Sequence, residues 1–195
     1  MTEKSPSLRE QQKAATRNEL IRMGLLLFFE NGFANTTVDQ IVEPLGIAKR
    51  TFFRYFKAKE DLVFDFYEDK TPTLVRELKN RPKDESPYEA VCKALSTQLD
   101  LYDVNPDWAW SLVCLLNENP ELMGKGFEKR LTREQALAAA LIEREGKNKI
   151  TPLKARIIVG TALIAWQAAL DEWYEGGGKS KLRPIVKKAF SIAGQ

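Results

Sequence analysis

The chain has 195 residues with an ordinary globular composition, 44% hydrophobic and 29% charged, which excludes collagen-like and largely disordered proteins. This length is sufficient for one ample core, or for one core with a small appendage. The chain contains no histidine and two cysteines, so Ser-His-Asp and Cys-His catalysis, zinc-finger ligation and a disulfide framework are all excluded. We therefore expect a soluble protein that is not an enzyme and that holds neither a metal nor a cofactor. The alternative is a helical enzyme in which carboxylates and lysines replace histidine, but no spacing in the sequence points to one.

The N-terminal segment is polar and charged and lacks the apolar centre of a secretory signal. The longest uncharged apolar tract runs from Ile157 to Leu170, which is 14 residues, whereas roughly 20 are needed to cross a bilayer. We therefore expect a cytoplasmic protein without a membrane span.

Positive charge is concentrated near the N-terminus. Residues 1–59 carry ten basic and six acidic side chains, and the remaining residues carry 20 and 21. Five cations and no acid lie between Glu43 and Glu60, namely Lys49, Arg50, Arg54, Lys57 and Lys59. This cluster is either a surface that binds a polyanion or an ordinary solvated face, and its local structure must decide between the two.

The apolar pattern predicts three helices in this basic region. The first covers residues 11–31 and ends at Asn31-Gly32, because glycine tolerates the left-handed conformation that closes a helix. Thr36 or Thr37 opens the second helix, since Thr37 and Gln40 have the spacing of a capping box.

Pro44 and Gly46 then interrupt the helical pattern, and a short third helix is predicted from Ala48 to Tyr55. Two short helices on either side of a glycine turn are typical of a helix-turn-helix unit, whose second helix enters the DNA major groove. We expect Phe52 and Phe56 to lie in the core beneath that helix.

The segment 17–62 resembles the TetR family of bacterial regulators. The resemblance depends on Leu27-Phe28-Phe29-Glu30-Asn31-Gly32-Phe33, Thr36-Thr37-Val38, Ile41, Leu45-Gly46-Ile47, Thr51-Phe52-Phe53-Arg54-Tyr55-Phe56 and Lys59-Glu60-Asp61-Leu62. It implies an all-α homodimer with an N-terminal three-helix DNA-binding head, residues 1–58, and a larger helical domain for effector binding and dimerisation, residues 59–195. The chain departs from the usual family pattern at Ala48, commonly Ser or Thr, at Arg50, often Gly, and at Phe53, often Tyr.

The resemblance and the charge pattern together assign candidate DNA-binding residues. We expect Lys49, Arg50 and Thr51 to reach base edges or nearby phosphates, with Arg50 contributing most to specificity. Thr37, Tyr55 and Lys59 are expected to contact phosphates. The full set is Thr36, Thr37, Lys49, Arg50, Thr51, Phe53, Arg54, Tyr55 and Lys59. Tyr55 as a core aromatic, and Lys59 as an ordinary surface lysine, are the alternatives.

Four further basic residues precede the head or lie at its start: Lys4, Arg9, Lys13 and Arg17. They form either an arm that adds phosphate or minor-groove contacts or a disordered segment.

The C-terminal two thirds reads as a series of helices punctuated by prolines. The predicted helices cover approximately residues 59–79, 87–102, 105–116, 128–144, 153–174 and 182–192. In proteins similar to TetR the last two long helices commonly form the dimer interface, which implies a homodimer through residues 153–192. The candidate interface residues are Ile158, Ala162, Leu170, Ile185 and Ala189.

Large apolar side chains in the same region are candidates for an effector pocket. They are Trp108, Trp110, Leu112, Cys114, Leu115, Met123, Phe127, Leu163 and Trp166, and each has the alternative of being an ordinary core residue. The segment Lys49-Arg50-Thr51-Phe52-Phe53-Arg54-Tyr55-Phe56 and the C-terminal region around Trp173-Tyr174 also look like an actinobacterial TetR subgroup, some of whose members sense long-chain acyl-CoA or other lipophilic molecules.

These observations predict a one-component transcriptional regulator, usually a repressor in such families. It would bind a near-palindromic operator as a homodimer and respond to a small lipophilic ligand. The main alternative is an architectural DNA-binding protein without small-molecule control.

Overall fold

A computed structural model describes residues 7–68, 70–146 and 148–195. Within these residues the chain forms eleven α-helices and one 3-10 turn, with no strand, which confirms the expected all-α fold. The helices are α1 Leu8–Asn31, α2 Val38–Val42, α3 Lys49–Tyr55, α4 Glu60–Glu68, α5 Thr71–Asn80, α6 Pro87–Ser96, α7 Leu99–Val104, α8 Pro106–Glu118, α9 Pro120–Glu145, α10 Pro152–Glu175 and α11 Leu182–Ala193.

The chain divides into two compact units, Met1–Tyr67 and Glu68–Gln195. The division falls near the end of α4, whereas the sequence placed a boundary between residues 58 and 59, ahead of this helix. Leu62 of α4 is fully buried and packs against α1 at Gly24. Burial of this leucine explains why most of α4 belongs to the N-terminal unit.

Helix α1 begins earlier than its apolar pattern predicted, at Leu8 instead of residue 11. Ser7 and Glu10 form a capping box in which the Ser7 hydroxyl accepts from the Glu10 amide and the Glu10 carboxylate accepts from the Ser7 amide. The helix ends at Gly32, which has a φ of +83° as expected for a glycine cap.

Three other helices differ from their predicted extents. The segment 59–79 is two helices, α4 and α5, because Pro72 fits the first turn of a new helix but not the interior of a continuous one. The segment 87–102 is divided at Thr97, whose hydroxyl donates to the Ala94 carbonyl at 2.8 Å. In contrast, α9 starts at Pro120, eight residues ahead of the prediction, since a proline also opens that helix.

Helix α10 is the central helix of the C-terminal unit. It is 24 residues long, and its most apolar window has a mean hydropathy of 1.3, so length and composition alone would allow it to cross a membrane. However, α10 packs against α6, α8, α9 and α11, and Ala155, Val159 and Ala169 on it are buried. These contacts are typical of a core helix.

A buried arginine at the end of α9 binds the loop between α5 and α6 through hydrogen bonds. The Arg144 side chain is fully buried and donates to the carbonyls of Arg81, Pro82 and Glu85, while it pairs with the Glu145 carboxylate. The interior therefore contains a charge whose donors are matched by backbone acceptors.

Candidate DNA-binding surface

Helices α2 and α3 form the helix-turn-helix unit that the sequence predicted. Thr37 caps α2: its hydroxyl accepts from the Gln40 amide at 3.3 Å, and Gln40 Oε1 accepts from the Thr37 amide at 2.8 Å. A 3-10 turn, Glu43–Leu45, follows α2, and Gly46 then adopts a left-handed conformation with a φ of +62°. This conformation reverses the chain sharply enough to start α3 at Lys49.

Aromatic packing fixes the orientation of α3. Phe52 and Phe56 are buried, as predicted, with ring centroids 5.3 Å apart. Because these residues occupy the inner face, the opposite face is presented to solvent. That outer face carries the exposed side chains of Lys49, Arg50, Phe53 and Arg54. The basic cluster is thus a helix face in a helix-turn-helix unit.

The remaining two candidates on α3, Thr51 and Tyr55, are half-buried. The Tyr55 ring packs near Phe56, with centroids 6.3 Å apart, and the Arg54 guanidinium lies 5.3 Å from the Tyr55 centroid. Tyr55 therefore supports Arg54 by a cation–π contact while it remains partly accessible. Ala48, which precedes α3, provides no side-chain cap, as its lack of a hydroxyl requires.

An ion pair links α2 to the first residue of α3. The Lys49 Nζ lies 2.7 Å from the Asp39 carboxylate, and both side chains are more than half exposed. Asp39 was not among the predicted DNA-binding residues, which are basic, hydroxyl-bearing or aromatic. Asp39 could have been found from its position in the first turn of α2, the helix that precedes α3.

Thr36 corrects the list of candidate DNA contacts. Its side chain is only 1% exposed, and its hydroxyl donates to the carbonyls of Gly32 at 2.9 Å and Leu27 at 3.2 Å. A buried hydroxyl in this position stabilises the end of α1 and is not available to a phosphate. In this conformation the Thr36 hydroxyl would have to leave both carbonyls to make the expected DNA contact.

Lys59 likewise has a role inside the head. Its Nζ donates to the carbonyls of Phe33 at 2.5 Å, Thr36 at 3.0 Å and Ala34 at 3.4 Å, and it lies 4.3 Å from the centroid of the Phe33 ring. An ammonium has three donors, and all of them have backbone acceptors here. The expected phosphate contact would require these bonds to break.

The predicted N-terminal arm is helical over the residues that can be described. Arg9 and Lys13 are exposed on α1, and Lys4 lies outside the described residues. Arg17 pairs with Asp65 at 2.8 Å, and its guanidinium lies 5.7 Å from the Phe56 centroid. Arg17 therefore joins α1 to α4 and is not part of an arm.

The candidate effector residues fall into two groups. One group is packed into the C-terminal core, where Trp110 lies 5.3 Å from Trp173 and Trp166 lies 6.3 Å from Tyr102, measured between ring centroids. Leu112, Leu115 and Leu163 are also buried. The surroundings of these residues are therefore those of ordinary core residues, which was the alternative to an effector pocket.

The second group faces outward. Met123 and Phe127 occupy one face of α9 and are 66% and 61% exposed, respectively. Trp108 and Cys114 of α8 are half-buried, and burial raises the pKa of the Cys114 thiol. The structure thus separates the residues that the sequence grouped as a single pocket.

The proposed dimer residues are also distributed unevenly. Ala162 is completely buried within its own chain, so it is not available to a partner, which corrects that assignment. Ile158, Leu170, Ile185 and Ala189 are half-buried. A helix that is apolar nearly all round gives no signal for which of its residues point outward, so the sequence did not separate Ala162 from the more accessible Ile158 and Leu170.

The outward face of α10 borders a groove of about 360 Å³ between α10 and α11. Leu153, Ile157 and Ile164 are exposed along this face of α10, and Ile192 is exposed on α11. The groove is lined by Thr161, Ile164, Ala165, Ala168, Glu172, Lys188, Ala189, Ile192 and Ala193.

Comparison with known proteins identifies both parts of the chain. Residues 20–66 match the family of bacterial regulatory proteins of the tetR type, and residues 85–194 match the MftR C-terminal domain. The HTH-type transcriptional regulator TcmR of Streptomyces glaucescens is 29% identical over 89% of this chain and 79% of its own length.

Two solved structures have the same fold. A TetR-family repressor, FadR of Thermus thermophilus in complex with lauroyl-CoA, superposes with a TM-score of 0.64 at 19% identity, covering 91% of this chain and 92% of its own. FadR of Bacillus subtilis in complex with stearoyl-CoA gives 0.60 at 21% identity, covering 90% and 96%. The chain therefore belongs to the TetR family of DNA-binding transcriptional regulators, with a C-terminal domain of the MftR type.

Proposed function

We propose that this regulator is a cytoplasmic repressor that recognises a near-palindromic operator through α3. The observation that carries the proposal is the exposed face of α3, which presents Lys49 and Arg50 in its first turn and Arg54 in its last turn, while Phe52 anchors the opposite face in the core. Side chains near the start of a recognition helix contact base edges, and arginine binds guanine through two hydrogen bonds.

Arg50→Ala tests this assignment. We expect a loss of about 1–3 kcal/mol on the operator and a smaller loss on a scrambled duplex, because a base contact is sequence-dependent whereas a phosphate contact is not. Arg22→Ala is a suitable control, since Arg22 is exposed on α1. Equal losses on both duplexes would contradict base recognition by Arg50.

The proposal includes a homodimer in which a second copy covers the groove between α10 and α11. Exposed apolar side chains at positions 153, 157 and 164 form a stripe at helical spacing, and small residues beside them allow close helix packing. A contiguous apolar stripe of this kind is uncommon on a monomeric protein. Two heads in one dimer would then match two half-sites.

Ile164→Glu tests the dimer by placing a charge in the centre of that stripe. We expect the molecular mass from light scattering to fall from that of a dimer to that of a monomer at micromolar concentration. Val104→Glu is the matched control, because Val104 is also an exposed apolar residue but lies at the end of α7. A wild-type protein that is monomeric with and without DNA would contradict the dimer.

We further propose that a small lipophilic effector binds the C-terminal unit and lowers operator affinity. Met123 and Phe127 leave apolar surface open on α9, while Trp108 and Cys114 on α8 are only half-buried. Large, adaptable apolar side chains are the groups that bind such molecules. The FadR structures hold lauroyl-CoA and stearoyl-CoA, which makes an acyl-CoA the first compound to try.

The ligand proposal is tested by titrating lauroyl-CoA into the protein–operator complex, with free CoA as the control. We expect lauroyl-CoA to release the operator in wild type and to act less effectively on Phe127→Ser, whose apolar surface is reduced. If no lipophilic compound changes DNA binding and many DNA sites are occupied, the architectural alternative is favoured.

A further inference from the structure

The recognition helix begins with a cation that already has an anionic partner. Lys49 is the first residue of α3, and its Nζ lies 2.7 Å from Asp39 Oδ2 in the first turn of α2. The two side chains are 53% and 65% exposed, respectively. Because water surrounds the pair, it is weak enough to be exchanged for another partner.

The position of Asp39 opposes DNA binding that depends on charge alone. Non-specific binding arises from cations that neutralise phosphates and release counterions. A carboxylate beside Lys49 both neutralises that cation and repels any phosphate that approaches it. Lys49 therefore contributes little to a complex in which it meets only phosphate.

A base edge offers Lys49 a different exchange. The O6 and N7 atoms of guanine both accept hydrogen bonds in the major groove, and a lysine that binds them gains a partner of defined geometry. In the operator complex the guanine contact offsets the loss of the ion pair between Lys49 and Asp39. In a non-specific complex Lys49 meets only phosphate, and no such contact compensates for the lost ion pair.

We propose that Asp39 is a specificity-determining residue that restrains Lys49 from binding phosphate and releases it to the operator. This inference rests on the proposed recognition of an operator by α3. It assigns a role in discrimination to an acidic side chain that makes no attractive contact with DNA phosphate. Discrimination through a repulsive element is a general means of achieving specificity.

The test uses fluorescence anisotropy with two duplexes at several salt concentrations. One duplex carries the site that wild-type protein enriches from a random library, and the other is its scrambled equivalent. Asp39→Asn keeps the shape of the side chain and removes its charge. Glu30→Gln is the matched control, because Glu30 is exposed on α1 and its substitution changes the net charge by the same amount.

Asp39→Asn is expected to bind the scrambled duplex about two- to fivefold more tightly, the range of an exposed ion pair. The slope of log affinity against log salt should steepen by about 0.9, which corresponds to one further phosphate contact. Operator affinity should change less, so the ratio of the two affinities falls. Glu30→Gln should leave this ratio and the slope close to their wild-type values.

A double-mutant cycle shows whether Asp39 acts through Lys49. In the Lys49→Met background, Asp39→Asn should leave the salt slope unchanged and alter both affinities no more than Glu30→Gln does. Equal changes on both duplexes, or an undiminished effect of Asp39→Asn in that background, would overturn the inference.

The outcome also separates this inference from the proposed function. If wild-type protein enriches no sequence from the library, operator recognition itself fails, and a role for Asp39 in discrimination fails with it. If a site is enriched but the cycle shows no coupling between Asp39 and Lys49, only the inference is overturned. Circular dichroism of each variant confirms that the head remains folded.

Discussion

Lys59 Nζ lies 2.5 Å from the carbonyl oxygen of Phe33, 26 residues earlier in the chain. The same ammonium also binds the carbonyl of Thr36 and lies over the Phe33 ring, so it joins the start of α4 to the segment between α1 and α2. That segment leads directly into Thr37, which caps α2. Lys59 thus stabilises the segment that positions α2 of the helix-turn-helix unit.

Lys59→Gln should destabilise the head without removing a phosphate contact. Hydrogen bonds to a charged group contribute about 1.5–3 kcal/mol, so we expect a loss of about 1–3 kcal/mol in the free energy of unfolding. Operator binding should weaken while the slope of log affinity against log salt stays unchanged. Chemical denaturation and salt-dependent anisotropy measure the two effects.

Lys57→Gln provides the comparison, because Lys57 is exposed in the same loop and the charge change is identical. This variant should unfold at nearly the same denaturant concentration as wild type. A salt slope that falls by about 0.9 in Lys59→Gln would instead mean that Lys59 contacts a phosphate.

The DNA-binding head can be predicted from the sequence because its signals are local. The capping box at Thr37 and the glycine turn at Gly46 each depend on neighbouring residues, and both are present in the structure. In contrast, the internal contacts of Lys59 and Thr36 depend on residues brought together by folding. No spacing along the chain distinguishes a lysine that binds carbonyls from one that would bind phosphate.

Gly24→Ala is expected to destabilise the N-terminal unit. A β-carbon at position 24 would lie 2.3 Å from Cδ1 of Leu62, which is fully buried and has little room to move. Overpacking of this kind typically costs about 1–3 kcal/mol, which outweighs the gain of about 1 kcal/mol from the better helix propensity of alanine.

Gly124→Ala is the control for that substitution, since nothing lies within 4 Å of the added carbon on α9. It should raise the free energy of unfolding by up to about 1 kcal/mol. If Gly24→Ala were as stable as Gly124→Ala, the close approach of α1 and α4 would be contradicted.

Arg144→Met should destabilise the C-terminal unit strongly. The substitution retains an apolar stem but leaves the carbonyls of Arg81, Pro82 and Glu85 without their donor. We expect a loss of about 3–5 kcal/mol, which is typical when one partner of a buried charged network is removed. Arg156→Met is the control, because Arg156 is largely exposed on α10. Equal stability of the two variants, measured by denaturant unfolding, would contradict a structural role for Arg144.

Glu85 makes the stability of the same region dependent on pH. A hydrogen bond from Arg81, with a smaller contribution from one donated by Lys93, lowers the pKa of the Glu85 carboxyl from 4.5 to about 2. Because the folded pKa is below the unfolded one, this stabilisation is present above pH 4.5 and is lost as the pH falls from 4.5 towards 2. Glu85→Gln should be less stable than wild type at pH 7, and the difference should shrink over that range. A difference that is constant with pH would contradict the assignment.

The C-terminal unit was harder to predict than the head. Its helices were found because prolines mark their starts, but α10 is apolar nearly all round, so the sequence could not distinguish the core residue Ala162 from the exposed residue Ile164. For the same reason the sequence placed the buried Trp166 and the exposed Phe127 in a single predicted effector pocket. Which apolar side chain is buried depends on the neighbouring helices, and these are distant in sequence.

The most direct test of operator recognition is a titration of the purified protein against its own upstream intergenic DNA and against a scrambled duplex of equal length. Fluorescence anisotropy at several salt concentrations should give at least about a thousandfold preference for the upstream DNA, together with a steep dependence on salt. Equal and weak binding to both duplexes would contradict recognition of an operator in this DNA.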